Sequence, residues 1–126
     1  MTIITSTATA LRIFVPGIKD TRHVDTSVTI PAGATRILLG CDYPDVDAAA
    51  GEFHVYVGGE GVCPNHAQLV GGGDGVWTIE DQGSLTGTKM AGEAVERPTP
   101  LQLNPEGTCP IRLGRRMIHI KRLAAD

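Results

Sequence analysis

Residues 67–80 read Ala67-Gln68-Leu69-Val70-Gly71-Gly72-Gly73-Asp74-Gly75-Val76-Trp77-Thr78-Ile79-Glu80, two short runs around a glycine-rich stretch. In an extended chain Ala67 and Leu69 share one face, and Trp77 and Ile79 share one face of the next run. Period two over a short segment marks a half-buried strand. The spacing predicts strands over 67–70 and 76–80, closed by a hairpin loop at 71–75. Trp77, at an inward position, belongs to the core. The glycines resemble a phosphate cradle only in number, because no Lys-Ser/Thr follows and no helix starts there.

The same alternation recurs on both sides. Leu11, Ile13 and Val15 alternate with Arg12 and Phe14, and Val28 and Ile30 flank Thr29. Val55 and Val57 alternate with His54 and Tyr56, and Ile118 and Ile120 with His119 and Lys121. Sixteen glycines and eight prolines punctuate the chain, at roughly the spacing of an all-β sandwich or barrel. No stretch holds a helical period. Val46–Ala50 suffices for one turn, which Gly51 stops.

At 126 residues the chain is one domain, large enough to fold without a metal or a disulfide. The 11 Lys and Arg against 14 Asp and Glu leave a net charge of −3, which argues against nucleic acid as the main partner. No apolar run is long enough to span a membrane. The N-terminus lacks the cationic start and unbroken apolar core of a secretion signal. Cytoplasm, or the interior of a soluble assembly, is the expected location. Three cysteines without a Cys-x-x-Cys give neither a zinc ribbon nor a full disulfide framework.

Val62-Cys63-Pro64-Asn65-His66-Ala67-Gln68-Leu69 opens a longer pattern. It continues through Trp77-Thr78-Ile79-Glu80-Asp81-Gln82-Gly83-Ser84-Leu85-Thr86-Gly87-Thr88, Ala91-Gly92, Leu101-Gln102-Leu103 and Ile111-Arg112-Leu113-Gly114. In order and spacing this resembles a forkhead-associated (FHA) domain. The marks of that family are Gly-Arg after an early strand, Ser-x-x-His, Gly-Ser-x-Asn-Gly-Thr and a late hydrophobic-x-Leu-Gly. The resemblance covers residues 10–123. Residues 1–9 are then a flank or an extra strand, and 124–126 a tail. In the flank, Thr2-Ile3-Ile4-Thr5 is a candidate for pairing with a neighbour's sheet edge.

The resemblance implies an all-β, FHA-like β-sandwich of about eleven strands that binds proteins, usually phosphothreonine peptides, through loops at one end. The scaffold positions are kept at Gly40, His66, Gly83, Ser84, Gly87, Thr88 and Gly92. The phosphate chemistry is not. The phosphate-gripping Arg falls on Cys41, the phosphate-binding Ser on Cys63, the Arg that often follows it on Pro64, and the peptide-binding Asn on Thr86. Asp42, Asp45, Asp47, Glu52 and Glu60 add negative charge nearby, which repels a phosphate dianion. By the same resemblance Cys41 and Cys63 converge, which leaves a disulfide between them as an open reading beside two free thiols.

The expected function is therefore a non-catalytic, phosphate-independent protein–protein interaction module. It would serve as a structural or adaptor subunit of a larger assembly, such as a secretion apparatus or a virus particle. The expected partner contacts are Cys41, Asp42, Asp45, Asp47, Cys63, Pro64, Asn65, Leu85, Thr86 and Lys89. The alternative is a phosphothreonine reader whose basic grip has moved to Lys89, Arg12 or Arg36, with Ser84 and Thr86 as hydrogen-bond donors. No cofactor, metal or small-molecule site is indicated. His66 has one nearby thiol but no orienting group, so it reads as a structural histidine rather than a catalytic base. The acidic loop lacks the ligand alternation of a calcium loop. Arg112, Arg115, Arg116, Lys121 and Arg122 read as a solvated face, with contact to an acidic partner or nucleic acid as the alternative. His23, His54 and His119 read as solvated.

Overall fold

The computed structural model describes residues 10–17, 25–31, 33–42, 48–71 and 76–123. Two sheets hold eleven strands among these residues. β1 (Leu11–Val15), β2 (Thr26–Ile30), β7 (Thr88–Met90), β8 (Glu93–Ala94), β10 (Thr108–Leu113) and β11 (Arg116–Arg122) form a six-stranded sheet in the order β2-β1-β11-β10-β7-β8. β3 (Arg36–Gly40), β4 (Glu52–Tyr56), β5 (Ala67–Gly71), β6 (Trp77–Asp81) and β9 (Thr99–Pro100) form the second, in the order β4-β3-β5-β6-β9. A single 3-10 turn, Ala48–Ala50, precedes Gly51. None of the helical segments described is long and apolar enough to cross a membrane.

The alternation in the sequence becomes the core. Leu11, Ile13, Ile37, Leu39, Leu69, Ile79, Ile111, Leu113, Ile118 and Ile120 are all buried. Each contributes about 1.5–3 kcal/mol by leaving water. Trp77 lies among them, as its strand position predicts, and its ring fills the space above Gly71.

Register fixes which residues share a face. β3 and β4 run parallel, with Arg36 opposite Glu52 and Gly40 opposite Tyr56. The chain therefore leaves Gly40 at one end of the sandwich and re-enters at the other. Glu52 lies at that far end, bonded to Arg36 at 2.9 Å, and adds no charge beside Cys41. On the outer face of the six-stranded sheet, register makes three rows of four residues. They are Thr29-Arg12-Lys121-Thr108, Ser27-Phe14-His119-Pro110 and Met117-Arg112-Lys89-Ala94.

Strand parity divides the C-terminal basic cluster. Arg112 and Lys121 face outward, but Arg116 shares the inward parity of Ile118 and Ile120 and is 7% exposed. Its guanidinium donates to the Pro16 carbonyl. Charge had grouped residues that the pleat separates. His54 is likewise half-buried rather than solvated. Burial lowers its pKa from the ordinary value, while a hydrogen bond with the Gly40 backbone and the charge of Asp42 pull it back up.

Candidate functional site

Four described connections meet at the end of the sandwich where Gly40 lies: the start of the β3–β4 loop, residues 57–66, residues 82–87 and the Gly114-Arg115 turn. They are fastened by hydrogen bonds. His66 is fully buried. The Cys63 N–H donates to its Nδ1 at 3.0 Å, so the ring proton sits on Nε2, which donates to the Gly87 carbonyl at 2.8 Å. The His66 N–H donates to the Leu39 carbonyl at 2.8 Å, and the Gln82 N–H to the His66 carbonyl at 3.0 Å. One histidine thus joins β3 to two loops.

Gly40 permits this packing for a reason other than a left-handed backbone. A Cβ there would stand 2.5 Å from the Asn65 nitrogen and 2.9 Å from both the Cys63 oxygen and the His66 nitrogen. Gly83, Gly87 and Gly92 do hold positive φ, as turn positions would. Gly92 follows Ala91, also at positive φ, in the two-residue turn between β7 and β8.

The second knot is Asp81, which sequence reasoning passed over. Ser84 Oγ and Thr88 Oγ1 donate to its Oδ1 at 2.5 and 2.6 Å, and the Gly83 and Ser84 N–H groups to its Oδ2 at 3.1 Å each. Burial alone would push the Asp81 carboxyl up; the hydrogen bonds from Ser84, Thr88 and Gly83 outweigh it and hold the carboxyl below its ordinary value. The string Asp81-Gln82-Gly83-Ser84 carried the signal, since an Asp two residues before Gly is a side-chain-capped turn.

The expected contact residues fall into distinct settings. Cys41 and Cys63 are half-buried and meet through the backbone, the Cys41 N–H donating to the Cys63 carbonyl at 3.3 Å. Both are carried as free thiols, as is the buried Cys109. The Leu85 N–H lies 3.4 Å from the Cys63 Sγ. Asp42, Pro64 and Asn65 are exposed, and Leu85 is 94% exposed at the loop tip. Thr86 is exposed, but its hydroxyl donates to the Gly61 carbonyl at 2.5 Å. Lys89 lies one residue into β7, on the outer sheet face opposite Arg112. Asp45 and Asp47 lie outside the described residues, as do His23, the flank 1–9 and the tail 124–126.

The residues considered for a displaced basic grip are elsewhere. Arg36 is at the far end of β3, and Arg12 faces outward from the sheet in the row that also holds Lys121. No hydrogen bond or ion pair among the described residues links a Lys or Arg to Cys41, Cys63 or Thr86. Glu60, within the 57–66 loop, lies 3.6 Å from Arg115. A cavity of about 370 Å³ behind the Asp81 knot is lined by Glu80, Asp81 and Glu96 with one Arg97, an acidic setting. No group of three or more His, Cys, Asp or Glu among the described residues is placed to hold a metal ion.

Comparison with known families matches residues 37–114 to the FHA domain. The chain belongs to the FHA domain family. Solved structures share the fold. The FHA domain of the CT664 protein from Chlamydia trachomatis is 19% identical with a TM-score of 0.69, covering 91% of this chain and 99% of that one. The FHA domain of an Arabidopsis thaliana hypothetical protein is 19% identical with a TM-score of 0.68, covering 100% and 96%. The FhaA FHA domain, complexed with the intracellular domain of Rv3910, is 19% identical with a TM-score of 0.55, covering 88% and 99%. A comparison with curated proteins finds no match. FHA domains are protein–protein interaction modules, often for phosphothreonine, and that coarse function applies here.

Proposed function

We propose that this FHA domain is a non-catalytic, phosphate-independent module that serves as a structural or adaptor subunit of a larger assembly. Its partner engages Cys41-Asp42, Cys63–Asn65 and Leu85-Thr86. The observation that supports this reading is how the polar groups of the loop junction are used. The Thr86 hydroxyl is committed to Gly61, the Ser84 hydroxyl to Asp81, and the Cys63 N–H to His66. A phosphate would meet two thiols where the family presents Arg and Ser. Each missing charge-assisted bond is worth about 1.5–3 kcal/mol, so the pair removes roughly a hundredfold or more of affinity. What the junction offers a partner is the Leu85 side chain, exposed backbone and negative charge.

The test is a pull-down with the tagged chain from its source lysate, split into phosphatase-treated and untreated halves. The same partners persist in both halves if this reading holds. Partners that vanish after phosphatase overturn it.

A further inference from the structure

The outer face of the six-stranded sheet carries four cations on a chain whose net charge is −3. Arg12 stands directly opposite Lys121, and Arg112 directly opposite Lys89. All four are exposed, and none makes an ion pair with a described residue. The three rows of this face contain no carboxylate. Like charges directly opposite on neighbouring strands lower stability, because their Cβ atoms are only about 5 Å apart. Two such pairs on one face form an uncompensated charge pattern that folding alone does not favour.

The pattern has a shape. Between the two cationic rows lies a row with Phe14 and His119, whose ring centroids are 6.4 Å apart. Beside Arg112, Met117 is 41% exposed. Adjacent rows are two residues apart along a strand, and the Arg112–Lys89 pair is displaced by two strands from the Arg12–Lys121 pair, so the two pairs lie about 16 Å apart on a diagonal. Four strands span about 14 Å across the face. Such a patch is far smaller than the roughly 800 Å² that each partner of a stable protein complex buries. It fits a short segment rather than a globular surface. In an extended segment, residues i and i+4 point the same way about 13 Å apart, with i+2 between them, and the long Arg and Lys side chains reach across the remaining few Å.

We infer that this sheet face binds an extended acidic segment with the pattern acidic-x-apolar-x-acidic. The segment crosses the strands diagonally: one carboxylate meets Arg12 and Lys121, the other meets Arg112 and Lys89, and the apolar side chain lies over His119 and Pro110. Charge complementarity selects the segment, and the central row sets its register. This surface is separate from the loop junction and stands or falls independently of it.

The test is an NMR titration of the full chain with the synthetic peptide SESLSES, at 20 and at 150 mM salt. Parallel titrations use SKSLSKS, a 20-nucleotide single-stranded DNA, and vesicles containing anionic lipid. The expected result is saturable shifts at the outward positions of β1, β10, β11 and β7 with SESLSES, weaker by several-fold at the higher salt. SKSLSKS produces none. The double variant Arg12→Gln/Arg112→Gln lowers the affinity at least tenfold. The same variant melts at or above the wild-type temperature, because each substitution removes a like-charge pair; a merely structural role would lower it. Absence of binding at 20 mM salt overturns the inference. So do unchanged affinity in the double variant, shifts confined to the loops, or tighter binding to DNA or vesicles than to the peptide.

Discussion

Replacing Asp81 by Asn tests the knot that holds the 82–87 loop. The substitution keeps the shape of the side chain and removes its charge. Asp81 accepts four hydrogen bonds, two on each oxygen. An amide can accept on one side only. Its NH₂ must then face either two backbone N–H groups or two hydroxyls, one of them on the buried Thr88. Hydroxyls can rotate to accept, so the NH₂ turns toward Ser84 and Thr88. Ser84 Oγ already accepts from the Gly87 N–H at 2.9 Å, which leaves that exchange incomplete. Losing the charge assistance on these bonds costs about 2–3 kcal/mol at this half-buried site. For a domain of this length that corresponds to roughly 8–12 °C in melting temperature.

The pH dependence separates charge from shape. The carboxyl is held below its ordinary value of 3.8 in the folded chain. Its ionised form therefore contributes stability that is complete above that value and is lost as pH falls through the folded pKa. The assay is thermal melting, followed by circular dichroism, of wild type and Asp81→Asn from pH 7 to pH 3. The gap in melting temperature should be constant down to about pH 5 and narrow below it. A variant within about 2 °C of wild type at pH 7 would refute the magnitude. A gap unchanged down to pH 3 would refute the charge as its cause.

Ala91 holds φ at 51°, so Ala91→Gly should raise stability by about 0.5–1 kcal/mol in urea unfolding, the relief of the left-handed backbone exceeding the added chain entropy. Cysteine labelling should show two accessible thiols: alkylation of the native chain without reductant adds two groups, at Cys41 and Cys63. Cys109 stays unmodified, because it is buried and burial pushes its thiol up. Addition at neither Cys41 nor Cys63 until reductant is supplied would establish the bridge between them instead.

Much of the fold was legible because strand parity is written in residue type. Leu11, Ile13 and Val15, or Ile118 and Ile120, declare their buried face without help from the rest of the chain. The family marks located the loop junction for the same reason, since Gly40, His66 and Gly87 sit at fixed offsets in the sequence. The physical role of Gly40 was not legible. Its constraint is the approach of Asn65 and Cys63 from another loop, and nothing local encodes that distance. Arg116 was misread because charge was weighed before parity. The cationic face was only half visible, since Arg12 meets Lys121 from the opposite end of the chain and only the register brings them together.

The two surfaces of this domain differ in what they have left to give. At the loop junction the hydroxyls and N–H groups are largely consumed by the His66 and Asp81 knots, which make the loops rigid but leave few donors for a ligand. A partner there gains from covering Leu85, an apolar contact that holds as salt rises, and from the negative charge of the exposed Asp42, which favours a basic partner. On the sheet the opposite is true. The cations make no bonds within the described fold, so their attraction is available to a partner and fades over the Debye length as salt rises. The sign of a partner's charge, together with the variants, thus assigns it to one surface or the other. Loss on Leu85→Ser with binding to Arg12→Gln/Arg112→Gln unaffected points to the junction, whereas an acidic partner whose binding weakens with salt and is lost on Arg12→Gln/Arg112→Gln points to the sheet.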